Sequence, residues 1–383
     1  MSDRIFLRGA RVAMPDGTVE AADVVVEDGT FAEVAYRIEA GGVEVVELAG
    51  YTLVPGFIDL HVHGGGGHSL ITPDCSEIEA YARWAAGQGA TGFLATVCTG
   101  SLEGAMGCLE AVGAARVDGG AELLGANLEG PFVNEQRRGA LPESWPQAAN
   151  VGAFRRLLGA AGGELRLMTV APELPGALGL IREAIAEGVR VSVGHTDATY
   201  EEAREGLAAG ATQVTHAFNA MRPFHHREPG PIGAAIEAGA IAEVIADGVH
   251  LHPAAVRTLV RAFGPERVAL ITDGVTPAGL ESGTFRIGAI EATRNDGEMR
   301  LPDGTIAGSV ATMADVFRNV VKWGIADVGT ASVMASGTPA RALGLEGRKG
   351  RIAAGCDADL VALTDDLQVA KTWVAGKLVF GGE

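Results

Sequence analysis

Eight times between Gly56 and Asp273 a short apolar run of strand character ends on polar residues, and this repetition restricts the fold more than any other feature of the chain. The runs are Phe57–Leu60 into His61-Val62-His63, Gly92–Val97, Leu123–Leu128 into Glu129, Leu165–Val170, Val189–Gly194 into His195, Gln213–Thr215 into His216, Ala242–Ala246 into Asp247 and Val268–Thr272 into Asp273. Between them lie segments with apolar residues three and four apart, among them Ser76–Gln88, Ser101–Val117, Ala153–Leu158, Gly179–Ala186, Tyr200–Ala209 and Pro253–Phe263. Each parallel return of a sheet needs a crossover, so strand and helix in alternation predict an α/β fold, a (β/α)8 TIM-type barrel. Every strand of such a barrel ends on the same face, and the polar residues would converge there.

The remaining chain predicts a second, smaller unit. Residues 1–55 carry short alternating pieces such as Asp23-Val24-Val25-Val26-Glu27, broken by turns at Pro15-Asp16-Gly17 and Asp28-Gly29. Residues 346–383 repeat that character in Asp359-Leu360-Val361-Ala362-Leu363 and Lys371-Thr372-Trp373-Val374. Neither piece alone has enough strands to bury a face, so the two are expected to pair into one small β-sandwich beside a barrel spanning 56–345. After the eighth strand, Gly288–Thr305 reads as a hairpin insertion, followed by helices near 311–323 and 331–343.

Composition removes several classes of function. A formal net charge of −18 argues against nucleic acid or an anionic membrane as partner, since both reward clustered Lys and Arg. No apolar stretch reaches the roughly 20 residues needed to span a bilayer, and the start of the chain has no signal-peptide pattern, so a cytoplasmic protein is expected. Cys75, Cys98, Cys108 and Cys356 are scattered without a CxxC pair and read as reduced, buried small residues. Lysine occurs only at Lys322, Lys349, Lys371 and Lys377, after the last barrel strand. A Walker-type phosphate loop, a barrel Schiff-base lysine and a carbamylated lysine bridging two metals are thereby excluded.

Hydrolysis on a histidine and carboxylate metal site survives that exclusion. His61 and His63, two apart on a strand, share a side and can face one metal, although alone they are equally well two polar residues at a strand end. A buried Glu129 is costly unless paired or metal-bound, and His195 and His216 hold the same place on later strands. Any one of these could be a hydrogen-bonded core residue; three such ligand types at barrel mouths favour a metal site, most often zinc. Asp273 closes the last strand, where it could cap a turn or serve as general acid and base. His250 is better placed than His252 to face the mouth, and Arg227 supplies the cationic spot an anionic ligand would need.

With these pieces assembled, the chain resembles the N-acetylglucosamine-6-phosphate deacetylases of the amidohydrolase superfamily over essentially its whole length. VPGFIDLHVHG at 54–64, NLEGPF at 127–132, GHTDA at 194–198, THAFNAM at 215–221, REPG at 227–230, DGVH at 247–250, ITDG at 271–274 and AGS at 307–309 carry the likeness, with GRIAAGCDADLVAL at 350–363. The resemblance implies metal-dependent deacetylation of a phosphorylated N-acetyl amino sugar, and a homodimer. Glu129, His195 and His216 would hold the principal divalent ion, with His61 and His63 allowing a second; zinc is expected, with iron, cobalt or manganese as alternatives. Asp273 would be the acid and base. Asn219 and Ala220 would bind the sugar phosphate together with Arg227 from a neighbouring subunit, while His250 would meet the acetyl or a sugar hydroxyl and Ala140 would line the sugar pocket. The family often has Gly-Ala-His where this chain has Gly139-Ala140-Leu141, which leaves N-acetylgalactosamine 6-phosphate as an alternative substrate. A non-catalytic sugar-phosphate sensor is the rival of another class, although a sensor need not keep Asp273.

Overall fold

Apolar runs bounded by helices pair in parallel, as their pattern requires. The structure, a computed structural model, describes residues 4–14, 16–39, 44–287 and 290–381. Pro15, in the first expected turn, and Gly288, at the start of the expected hairpin, lie outside the described residues. Phe57–Val62, Ala90–Val97, Glu122–Glu129, Leu165–Val170, Arg190–Val193, Gln213–Val214, Ile241–Ile245 and Val268–Ile271 form one parallel sheet in chain order. The first and eighth strands meet at their ends, where the Asp273 amide donates to His61 O at 2.9 Å and the His63 amide to Gly274 O at 2.7 Å. These bonds close the barrel on the face where the strands end.

The crossover helices form where amphipathic spacing and caps coincide. In Pro253–Phe263, Val256, Leu259, Val260 and Phe263 fall on one buried stripe, and the ring of His252 caps the start by accepting from the Ala254 amide. In Tyr200–Ala208, Thr199 and Glu202 make a reciprocal capping box. Apolar burial supplies the drive, about 1.5–3 kcal/mol for each large side chain taken fully from water. Ile58, Leu60, Leu94, Leu167, Ile245 and Ile271 fill the lower interior of the barrel, joined there by Ala340 and Ala342 from the chain's last helical segment. That segment is expected as one helix over 331–343. It is instead Val328–Ser332, a wider π-type turn at Val333–Gly337, then Thr338–Ala342. Pro339 has no N–H for the carbonyl of Ala335, which leaves room for the change of winding.

The glycine run 64–67 could suggest a phosphate loop, but no helix-opening lysine follows it, so the sequence predicts a flexible loop there. It forms a short antiparallel pair, Gly64–Gly65 with His68–Ser69, packed against the indole of Trp84. A Cβ on Gly65 would stand 2.2 Å from that ring, so the close approach explains the glycine. The region after the eighth strand is a three-stranded sheet, Gly283–Ile287, Ile290–Asn295 and Glu298–Arg300, one strand more than a hairpin.

Strands from both ends of the chain join in a second sheet. Thr52–Pro55 runs antiparallel to Leu360–Leu363 and parallel to Arg4–Ala13, with Val369–Val374 and Lys377–Phe380 continuing one edge and Val19–Glu27 and Thr30–Ala35 the other. Leu7, Val12, Val24, Phe31, Leu53, Leu360 and Trp373 bury themselves together, so the sheet encloses its own core. Lys349 fastens it to the barrel. Its enclosed ammonium lies 2.6 Å from Glu122, at the start of the third barrel strand, 2.6 Å from Asp359 and 3.0 Å from Asp357. Among the described residues no helix is long and apolar enough to cross a membrane.

Candidate active site

Three polar side chains reach the barrel mouth from backbone that breaks the strand pattern. His195, His216 and Asp273 have φ of +45°, +26° and +50°, the left-handed region that non-glycine residues avoid. Each ends its strand abruptly and turns its side chain towards the axis. Such conformations cost of order 1–3 kcal/mol and persist where surrounding structure imposes them, commonly at functional sites. The first strand reaches the same point differently, its pairing with the second strand slipping between Asp59 and Val62. His61 and His63 both face inwards, their ring centres 5.3 Å apart.

The groups converge on Glu129. Its Oε1 lies 2.9 Å from His195 Nε2, 3.1 Å from His216 Nε2 and 3.4 Å from His61 Nε2; its Oε2 lies 3.3 Å from His63 Nε2. Asp273 Oδ1 stands 3.3 Å from His63 Nε2 and 3.5 Å from His61 Nε2. Three overlapping groups result: the two trios Glu129-His195-His216 and His61-His63-Asp273, and His63-Cys98-Glu129, which bridges them.

The arrangement suits a divalent ion. His195 Nδ1 faces the Arg137 carbonyl at 2.8 Å, which places its proton there and leaves Nε2 as a bare lone pair. That Nε2 is 3.1 Å from His216 Nε2. Zinc bonds nitrogen at about 2.0–2.1 Å, so ligand atoms around one ion sit roughly 3–3.5 Å apart. His61 Nε2 is buried and lies within ion-pair range of two carboxylates, yet it makes no hydrogen bond, an orphaned polar atom aimed into the cluster.

Electrostatics point the same way. Burial alone would favour a protonated Glu129, but the surrounding imidazoles, His61 foremost, hold its carboxyl well below the usual range. Burial likewise pushes Asp273 up, and His63 with His61 outweighs it, bringing the carboxyl down to about 2. The same neighbours raise both histidines against burial, Glu129 and Glu243 acting on His61, and Cys98, Asp273 and Glu129 on His63. The site is an enclosed set of carboxylates seeking positive charge.

A cavity of about 260 Å³ opens over this cluster. Ala140, Asn219, Ala220 and His250 line it with His63, Glu129, His195, His216 and Asp273, whereas His61 lies fully buried beneath. His250 Nδ1 is held 2.7 Å from Asp247, which leaves Nε2 turned to Asp273 at 3.8 Å. Arg227 is outside this cavity in its own chain, on an exposed loop where Nη1 lies 2.7 Å from His226 Nε2. Sequence reasoning left out the apolar wall of Ile71, Val275 and Ile306, none of which a polar motif would reveal, and reached Leu141 only through the family resemblance. It also reads all cysteines as buried, and Cys75 and Cys98 correct this: both are half-buried, Cys98 at the cavity wall with Sγ 3.8 Å from His63 Nδ1.

Comparison with known proteins agrees with this geometry. Residues 52–379 match the amidohydrolase family. The chain is 35% identical to an N-acetylglucosamine-6-phosphate deacetylase of Vibrio furnissii, covering 94% of this chain and 91% of that protein. It is 34% identical to an N-acetylgalactosamine-6-phosphate deacetylase of Escherichia coli O157:H7, covering 97% and 98%. Among solved structures, an N-acetyl-D-glucosamine-6-phosphate deacetylase mutant of Mycobacterium smegmatis, in complex with N-acetyl-D-glucosamine-6-phosphate, superposes with a TM-score of 0.91 at 34% identity, covering 98% of this chain and 99% of that one.

Proposed function

The chain belongs to the amidohydrolase family, and from that premise we propose that it is a metal-dependent hydrolase that removes the acetyl group of N-acetyl-D-glucosamine 6-phosphate, releasing D-glucosamine 6-phosphate and acetate. The observation that carries the reading is the convergence of Glu129, His195, His216, His61 and His63 beside an ionised Asp273 at the floor of a sugar-sized cavity. Glu129, His195 and His216 would hold one ion and His61 with His63 a second. Zinc is the ion we assign to this nitrogen and carboxylate set, ahead of iron, cobalt and manganese. When bound, the metal supplies a Lewis acid that polarises the acetyl carbonyl and acidifies water.

The chain's own residues do the rest. Asp273, ionised at neutral pH, takes a proton from the attacking water as the water oxygen bonds the carbonyl carbon. It returns that proton to the nitrogen as the C–N bond breaks, so the amine leaves neutral together with acetic acid, whose remaining proton passes to the amine or to solvent to give acetate. His250, oriented by Asp247, keeps Nε2 near Asp273, within reach of a substrate oxygen. Asn219 and Ala220 also line the cavity and would bind the sugar phosphate.

Arg227 completes the phosphate site from a second subunit in this reading, because it is exposed and outside its own cavity. The protein is accordingly proposed as a homodimer, and as cytoplasmic given four free cysteines. Its division into a unit of residues 1–55 with 346–383 and a barrel of 56–345 belongs to the same proposal. Leu141 at the cavity wall favours a second reading, in which another N-acetylhexosamine phosphate is preferred. Initial rates of acetate release from N-acetylglucosamine 6-phosphate, N-acetylgalactosamine 6-phosphate and unphosphorylated N-acetylglucosamine test both. The first substrate should be fastest; preference for the second would transfer the assignment, and preference for the unphosphorylated sugar would sink it.

A further inference from the structure

Glu243 belongs to the seventh barrel strand and is fully buried, flanked by Ala242 and Val244 in a strand buried along its length. It lies beneath the cavity, and the proton transfer above does not use it. A carboxylate in such a place is destabilising unless it has a partner, so its partners define its role. Oε2 lies 3.1 Å from Nδ1 of His61 and also accepts from the backbone amide of His216 at 3.4 Å. Its main-chain carbonyl accepts from Ala217 at 2.8 Å. One residue thereby touches the arm from the first strand and the arm from the sixth.

A neutral imidazole has one N–H, and a carboxylate at Nδ1 fixes it there. The lone pair is then at Nε2, the buried nitrogen without a hydrogen bond that lies between Glu129 and Asp273. Glu243 keeps its other oxygen unpartnered as well.

We propose that Glu243 is a positioning residue of the metal centre, holding His61 as the Nδ1–H tautomer with Nε2 bare towards the ion and tying that arm to the backbone of His216. The inference rests on the metal-dependent reading given above. Outer carboxylates of this kind are worth about 10–100-fold in metal affinity.

Zinc alone is the probe. Metal-stripped wild type, Glu243→Gln, His61→Gln and the double variant are titrated with zinc against a chromogenic chelator, and melting of the metal-free proteins checks their fold. Glu243→Gln should weaken the zinc-binding step that His61 serves about 10–100-fold, and at that step the double variant should lose no more than His61→Gln alone. Unchanged affinity in Glu243→Gln, or losses that simply add in the double variant, would overturn the proposal while leaving metal dependence intact. A wild type that takes up no zinc or other divalent ion would overturn the metal reading and the proposal together. Should Glu243→Gln fail to fold, nitrogen-15 spectra of zinc-loaded wild type decide: a proton on His61 Nδ1 supports the assignment, and one on Nε2 overturns it.

Discussion

Nε2 of His63 lies 3.3 Å from Oδ1 of Asp273, joining the end of the first barrel strand to the end of the eighth across the seam where the barrel closes. The carboxylate proposed as proton shuttle therefore sits at the closure of the fold. Asp273 is fixed by its own amide on His61 O, and Thr272 beside it is clamped by Asp59 through both amide and hydroxyl.

Asp273→Asn keeps that shape and removes the proton acceptor. Turnover should fall by roughly 10²–10⁴, the usual worth of general acid and base catalysis. Zinc content, measured on the same sample, should change little, since Glu129, His195 and His216 remain. A variant with wild-type turnover would remove Asp273 from the mechanism.

Replacing His61 with Gln and His63 with Asn separates the two trios. One ion should stay tightly bound by Glu129, His195 and His216, and activity should be reduced but measurable. Elemental analysis after dialysis gives the count. Loss of all metal would mean that the first-strand histidines, and not the later ones, form the principal site.

Arg227→Ala should raise KM for the phosphorylated sugar and leave the unphosphorylated one nearly unaffected. A charge-assisted contact of about 1.5–3 kcal/mol corresponds to roughly 10–150-fold. Mixed with Asp273→Asn under conditions of subunit exchange, it should regain activity, because a heterodimer pairs one doubly damaged site with one intact site. No recovery after confirmed exchange would place Arg227 outside the partner's site.

Lys349→Met tests the bolt between sheet and barrel. Burial works against the ammonium, but Asp359 and Glu122 outweigh it and push its pKa above the ordinary lysine value of 10.5. A group whose folded pKa is raised contributes fully below its unfolded value and loses that contribution as pH rises through the folded one. The variant leaves the buried Asp359 without its cation, while Glu122 and Asp357 keep Arg348, and should be less stable by about 3 kcal/mol near neutral pH. The gap in denaturant midpoint should narrow above the ordinary lysine value. Equal stability at pH 7 would show that the cluster contributes nothing net.

The barrel was legible because period and spacing announce it: the apolar runs at Phe57–Leu60, Leu165–Val170 and Val268–Thr272 coincide with strands to within two residues. Strand ends were less legible where the backbone turns left-handed. The run Gln213–Thr215 shortens to Gln213–Val214 because His216 leaves the ladder at a φ of +26°. Residues that end a strand, such as His195 and Asp273, stand out against apolar neighbours. Glu243 and Asp59 do not, since each sits inside a strand and acts through a partner far away in sequence. Their signal was nonetheless present, as a charge within a strand buried on both faces needs a partner. Ile71 and Ile306 gave none, because an apolar pocket wall and an apolar core look alike in sequence.

Metal dependence is the claim on which the rest stands, and acetate release from N-acetylglucosamine 6-phosphate tests it most directly. The protein is stripped with a chelator, assayed, and assayed again as zinc is returned in steps of known stoichiometry. The account predicts that activity falls with the metal and returns as the first equivalent of zinc fills the site of Glu129, His195 and His216. Full activity in protein shown by elemental analysis to hold no divalent ion would contradict it.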